Sequence, residues 1–208
     1  MTTQLTSPAS VGRSSVLADH LGADSFVKDA LMVLVGASLV GVLAQVSVPM
    51  WPVPITGQTL GVLLVGAILG ARRGALSLLS YMLLGLAGMP WFSAASGGLA
   101  ALAKPSFGYI LGFIPAAWLI GKLSERAWDR HFWLSLTAFG GATLVPFLAG
   151  IPYMWAVLRI GGVSMSITEA LNAGFTPFII GGIVKAATGA AVVGGLWKAM
   201  GSGNISRS

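Results

Sequence analysis

From Ala30 onward the chain is a succession of long apolar runs almost free of charge, and this pattern limits the fold more than any other feature. A backbone surrounded by hydrocarbon must satisfy its own hydrogen bonds, which only helices and closed barrels achieve. Barrel strands would alternate apolar and polar residues, and no segment here does so. Helices remain. Six spans are expected, over Ala30–Val48, Gln58–Ala71, Gly74–Ala87, Gly108–Leu123, Phe132–Leu158 and Phe178–Met200. The second and third are short for a crossing, and the fifth is long enough to tilt or to bend near Pro146 and Pro152.

Composition supports a bilayer rather than water. Only 9% of residues are charged, where a soluble domain carries about 25%, and the mean hydropathy is +0.85. The 208 residues therefore make one helical membrane domain over 29–200, between polar cytoplasmic tails at 1–28 and 201–208. No signal peptide is expected, because the first apolar run begins late and continues as a full span. A short surface helix is expected near Leu17–Phe26.

The net charge of +6 could suggest a nucleic-acid partner, but its placement points to topology. With both termini inside, Arg13, Lys28, Arg72, Arg73, Lys122, Arg126, Arg130, Lys198 and Arg207 fall on the cytoplasmic side. Lys104 and Arg159 fall outside and Lys185 lies within a span, so nine, two and one account for all twelve basic residues. The outer connections are then 49–57, 88–107 and 159–177, long and rich in Gly, Pro and Trp, and function is expected to face outward.

The first of these connections reads PMWPVPITGQTL from Pro49 to Leu60. Its prolines force an extended path, and Thr56 is placed to cap the helix that follows. It is either a connector between spans or a binding lid bearing hydroxyls and an amide. In the second connection, Trp91 and Phe92 beside Ser93, Ser96 and Gly97–Gly98 suit either a lipid-anchoring belt or a ligand wall. In the third, Ser166 and Glu169 have capping-box spacing, predicting a short helix through Asn172 that ends before Pro177. Ala37 and Gly41 form a pair of small residues four apart, a pattern that lets another helix approach closely. The charges from Lys122 to His131 read as a solvated connection.

Several chemistries are excluded. The chain has no cysteine, so disulfides, thiolate metal sites and thiol nucleophiles are absent. His20 and His131 are too far apart in sequence to suggest a metal site, and nothing calls for a cofactor. No acidic residue lies mid-span, and no zinc-protease or phosphate-cradling motif occurs, which disfavours an intramembrane hydrolase or lipid-modifying transferase. A purely structural scaffold leaves the polar groups of the outer loops and Lys185 unexplained.

Four strings in order carry a family resemblance: PVPITGQTL, LGARRGALS, GMPWF…GG…PSFGYILGF, and SITEALNAGFTPF followed by Lys185. Together on a six-span frame they resemble the biotin-specific S components of energy-coupling factor vitamin transporters. The chain departs from that pattern at Gly182, where the family commonly has aspartate, and at Lys104–Tyr109, where it commonly has Gly-Pro-Thr-Gly-Gly-Tyr.

The resemblance implies an all-α membrane protein, a bundle of six transmembrane helices with both termini inside and long outer loops capping a substrate pocket. It implies high-affinity biotin capture and uptake across the prokaryotic cytoplasmic membrane, with no bond chemistry. An S component for another small vitamin is the alternative. Trp51, Trp91 and Phe92 would sandwich the bicycle, and Thr56, Gln58, Ser96 or Asn172 would hydrogen-bond the ureido group. Tyr109 belongs to the matching PSFGYILGF string, and Lys104 or Lys185 would face the carboxylate. Partners would be a transmembrane coupling subunit, met by Ala37 and Gly41, and two ATP-binding cassette subunits that supply the ATP chemistry this chain lacks.

Overall fold

The computed structural model describes residues 16–21 and 25–204. Most of the N-terminal tail, with Arg13, and the last residues, with Arg207, lie outside the described residues. The main elements are α1 (Phe26–Gln45), β1 (Ser47–Val48), β2 (Ile55–Thr56), α2 (Gln58–Leu86), α3 (Phe107–Ser124), α4 (Phe132–Ile160), α5 (Ile167–Gly174) and α6 (Phe178–Asn204). Five of these helices, all but the short α5, are long and apolar enough to cross a membrane. Large apolar side chains point out of the bundle, among them Val35, Leu148 and Ile180, as a hydrocarbon surrounding requires.

α2 is one element only in name. At Gly70 the backbone takes φ 82° and ψ 176°, a conformation closed to residues with a Cβ, and the chain reverses. Residues 58–69 and 71–86 therefore run as two antiparallel limbs. Gln58 Nε2 lies 2.6 Å from Tyr81 Oη, although 23 residues of straight helix would separate them by about 35 Å. The reversal falls at Gly70 rather than at the arginine pair expected to form the connection, and Arg72 and Arg73 already sit in the second limb.

The limbs pack tightly because their contact positions are small. A Cβ on Gly74 would stand 2.9 Å from the Cα of Gly66 in the opposite limb. α1 turns Gly36, Ala37, Val40, Gly41 and Ala44 inward, and α3 buries Ala116, Ala117 and Ile120. Tyr81 and Leu78 of the second limb are fully buried, as is Met154 of α4. α4 runs helically through Pro146 and Pro152.

The end of the bundle that holds the Gly70 reversal is charged. Ala71 N–H donates to Glu125 Oε1 at 3.0 Å. The carboxylate thus satisfies an N–H left open where the second limb begins. Arg73 bridges Asp19 and Asp29 at 2.7 and 2.8 Å, holding the short turn Leu17–Leu21 and the start of α1 to that limb. The connection between α3 and α4 is not simply solvated, as its composition suggested. Asp129 is 2% exposed and accepts from the Trp197 indole N–H at 2.7 Å, which ties down the end of α6. Burial pushes the Asp129 carboxyl above its usual range, and the Trp197 hydrogen bond opposes this.

Gly70→Ala should destabilise the fold by about 1–3 kcal/mol. The new Cβ would also lie 3.2 Å from the Glu125 carboxylate. Thermal unfolding in detergent reads the effect as a lowered midpoint; an unchanged midpoint would contradict the role given to this reversal.

Candidate ligand-binding site

The site begins with a small hairpin. Ser47 pairs with Thr56 and Val48 with Ile55, so the proline run arches between two short strands instead of extending throughout. Prolines have no N–H to give to a ladder, which confines pairing to the flanks. The hairpin delivers Thr56 to the start of α2. Its hydroxyl donates to Gln58 Oε1 at 2.8 Å and accepts from the Gln58 N–H at 3.3 Å. The N-cap position itself is Gly57, but Thr56 does the work expected of a cap. Gln58 in turn donates to Tyr81, and Tyr81 Oη donates to the Trp91 carbonyl at 3.2 Å.

That chain of bonds fixes the connection between α2 and α3. The Trp91 indole N–H returns a bond to the Tyr81 carbonyl at 2.9 Å. Gln45, at the end of α1, donates to the carbonyls of Trp91 and Phe92 and accepts from the Ala95 N–H. A lone amide at the end of an apolar run was the signal for Gln45, and sequence reasoning passed over it. The third connection closes through α5, whose capping box joins Ser166 and Glu169 as expected, with the helix continuing to Gly174. Its hydrogen bonds to Ser166 hold the Glu169 carboxyl below the usual range.

The hairpin and the connection between α2 and α3, with α3, α4 and α6, line a cavity of about 360 Å³ at the end of the bundle away from the Gly70 reversal. Ligand pockets begin at roughly 300 Å³. Phe107, Tyr109, Phe113, Phe147 and Phe178 supply aromatic wall. Tyr109 stacks on Phe178 with centroids 6.0 Å apart and meets Phe147 edge-on at 5.7 Å. Its hydroxyl is committed to the Gly174 carbonyl at 2.8 Å, so the ring rather than the hydroxyl is its offering. Lys185 lines the cavity half-buried, with no hydrogen bond or ion pair to another described residue. An ammonium in that position calls for an acceptor that no described residue provides.

Of the residues singled out in the sequence, Thr56, Gln58, Phe92, Ser96, Tyr109 and Lys185 line this one cavity. Three others do not. Trp51 is 68% exposed at the tip of the proline arch. Trp91 packs behind the wall against Gly41 and Tyr81. Asn172 is exposed on α5. Lys104 stands at the rim of the cavity, exposed. Sequence reasoning missed Ser106, Thr143 and Phe178 as lining residues. Thr143, a hydroxyl three residues before Pro146 inside an apolar helix, carried a signal; Phe178 resembled any span residue.

Ala37 and Gly41 require a correction. Both are buried inside this chain, Ala37 completely, and a Cβ on Gly41 would stand 3.1 Å from the Trp91 side chain. Their smallness admits Trp91 and α2 rather than presenting a face to another subunit.

A model of the BioY family matches residues 10–202. The chain belongs to that family. It is 38% identical over 157 residues to the biotin transporter BioY of Rhizobium etli, covering 72% of this chain and 81% of that protein. It is 40% identical over 161 residues to the probable biotin transporter BioY of Pyrococcus horikoshii, covering 77% and 91%. Its fold is similar to a crystal structure titled as the S-component for biotin from an ECF-type ABC transporter. There the TM-score is 0.62 and the identity 23%, over 85% of this chain and 95% of that one. At that identity the likeness is one of fold.

For this member of the BioY family, Gly41→Leu should lower the stability of the isolated protein by about 1–3 kcal/mol through overpacking against Trp91. Tryptophan fluorescence and the unfolding midpoint in detergent measure it. Full stability together with failure to bind a partner subunit would restore the docking role to this face.

Proposed function

We propose that this chain captures biotin from the outer side of the prokaryotic cytoplasmic membrane and serves as the substrate-specificity subunit of an ECF-type transporter. One observation carries the reading: a cavity that combines aromatic walls, scattered hydroxyls and a lysine with no partner among the described residues. Biotin has an apolar bicycle, a ureido group with two N–H donors and a carbonyl, and a carboxylate. Each has a counterpart there. The bicycle suits Phe92, Tyr109 and Phe178, and Lys185 suits the ureido carbonyl or the carboxylate. Membership of a family whose named relatives are biotin transporters supports the same ligand. No bond is made or broken, so the protein is a binder and carrier rather than an enzyme.

Six crossings with both termini inside is the topology we adopt, counting the two limbs of α2 separately. Its support is the polarity of the bundle. Arg72, Arg73, Lys122 and Glu125 gather near the Gly70 reversal, while the cavity lies among the opposite connections. Energy then comes from a transmembrane coupling subunit with two ATP-binding cassette subunits, which dock elsewhere than on Ala37 and Gly41.

Lys185 sits seven residues past the start of α6, about 10 Å along the helix. A charged lysine at the middle of a bilayer costs about 2.5–3.5 kcal/mol, so its place needs a role. Losing a charged donor to a buried acceptor corresponds to about 10- to 150-fold in affinity. Lys185→Ala should weaken biotin binding by that factor in calorimetric titration; unchanged affinity would leave Lys185 a residue that merely reaches for the headgroups. Separately, a cysteine replacing exposed Arg72 should react with impermeant reagent only in opened vesicles or broken cells. Labelling from outside intact cells would reverse the orientation.

A further inference from the structure

Within the cavity several polar groups already have partners. The Gln58 amide accepts from Thr56 and donates to Tyr81, and the Tyr109 hydroxyl commits its hydrogen to Gly174. Two side chains on the facing helices α4 and α6 keep hydrogen-bonding capacity for a ligand. Lys185 can only donate, and no described residue accepts from it. Thr143, 6% exposed on α4, donates its hydroxyl hydrogen to the Phe139 carbonyl at 2.8 Å. With that hydrogen committed, its oxygen can only accept.

Thr143 packs against the face of α6 that carries Lys185. The Thr143 methyl lies 3.3 Å from where a Cβ on Gly182 would be. Gly182 and Lys185 are three residues apart on α6 and so share a face of that helix. Thr143 and Lys185 both line the cavity. The absence of a side chain at Gly182 is what lets α4 bring Thr143 against the lysine-bearing face.

We infer that Thr143 is a specificity-determining residue of this cavity, accepting a hydrogen bond from a ligand N–H while Lys185 donates to the neighbouring carbonyl. The inference rests on the biotin reading and deepens it. A fixed acceptor beside a fixed donor selects a cyclic urea or amide, in which N–H and C=O are adjacent. It selects against a carboxylate, which has no N–H, and against a ring in which that N–H is blocked. A site built around a hydrogen bond rejects the analogue lacking it more strongly than an apolar pocket rejects a change of size.

The test titrates wild type, Thr143→Val, Thr143→Ala and Thr143→Ser with biotin and with two analogues, each methylated at one ureido nitrogen. Val and Ala should weaken biotin binding by about 5- to 150-fold, and Ser should restore it. For one of the two analogues the wild-type protein should already bind weakly, and Val should cost nothing further. That arm reports on recognition even if one variant folds poorly, since it compares ligands on the same protein. Equal biotin affinity in wild type and Val, or a Val penalty that persists with both analogues, would overturn the inference and leave Thr143 a packing residue. A wild-type protein that binds no biotin would overturn the biotin reading itself, a distinct outcome.

Discussion

The contact on which the cavity-bearing half of the molecule depends is the 2.6 Å hydrogen bond between Gln58 and Tyr81. It exists because Gly70 folds α2 back on itself, and it joins the first turn of one limb to the far part of the other. From Tyr81 the bonds pass to Trp91, and from Trp91 and Phe92 to Gln45 on α1. Three segments distant in sequence are thereby held in one wall. In a bilayer, where water cannot substitute for a lost partner, a buried amide and phenol have strong reason to remain together.

The rest of the architecture serves this arrangement. Small residues along α1 let Trp91 lie close against the helix, which places Phe92 at the cavity and Trp91 behind it. At the opposite end, Glu125 satisfies the helix start that the Gly70 reversal exposes, and Arg73 gathers Asp19 and Asp29 around it. The charged end therefore stabilises the hairpin while the polar residues of the opposite end remain available to a ligand. α6 is the least enclosed of the inner-lining helices, with Ile180, Ile183 and Val184 outward, yet it brings Lys185 into the cavity.

Much of this was legible in the sequence where a residue's type alone dictates its behaviour. Apolar runs without charge announced membrane helices, Ser166 and Glu169 announced the α5 capping box, and a lysine inside a span stood out as needing a role. Thr56 and Gln58 drew notice as polar groups entering a helix. What could not be read was direction. Trp51, Trp91 and Asn172 have the chemistry of a binding site, but one lies at an exposed tip, one behind the wall and one on an outer face. The small pair Ala37 and Gly41 signalled close approach without saying to what; both are buried within this chain, Gly41 against Trp91. Gly70 was hidden beside two arginines that looked like the connection, because a reversal is set by backbone dihedrals and not by charge.

The central claim is that the cavity beneath the proline arch is a biotin site. Isothermal titration of the purified wild-type protein in detergent with biotin, alongside other water-soluble vitamins, tests it most directly. The account predicts saturable binding of one biotin per chain, not competed by the other vitamins. Absence of saturable biotin binding by folded protein, or preferential binding of a different vitamin, would contradict it.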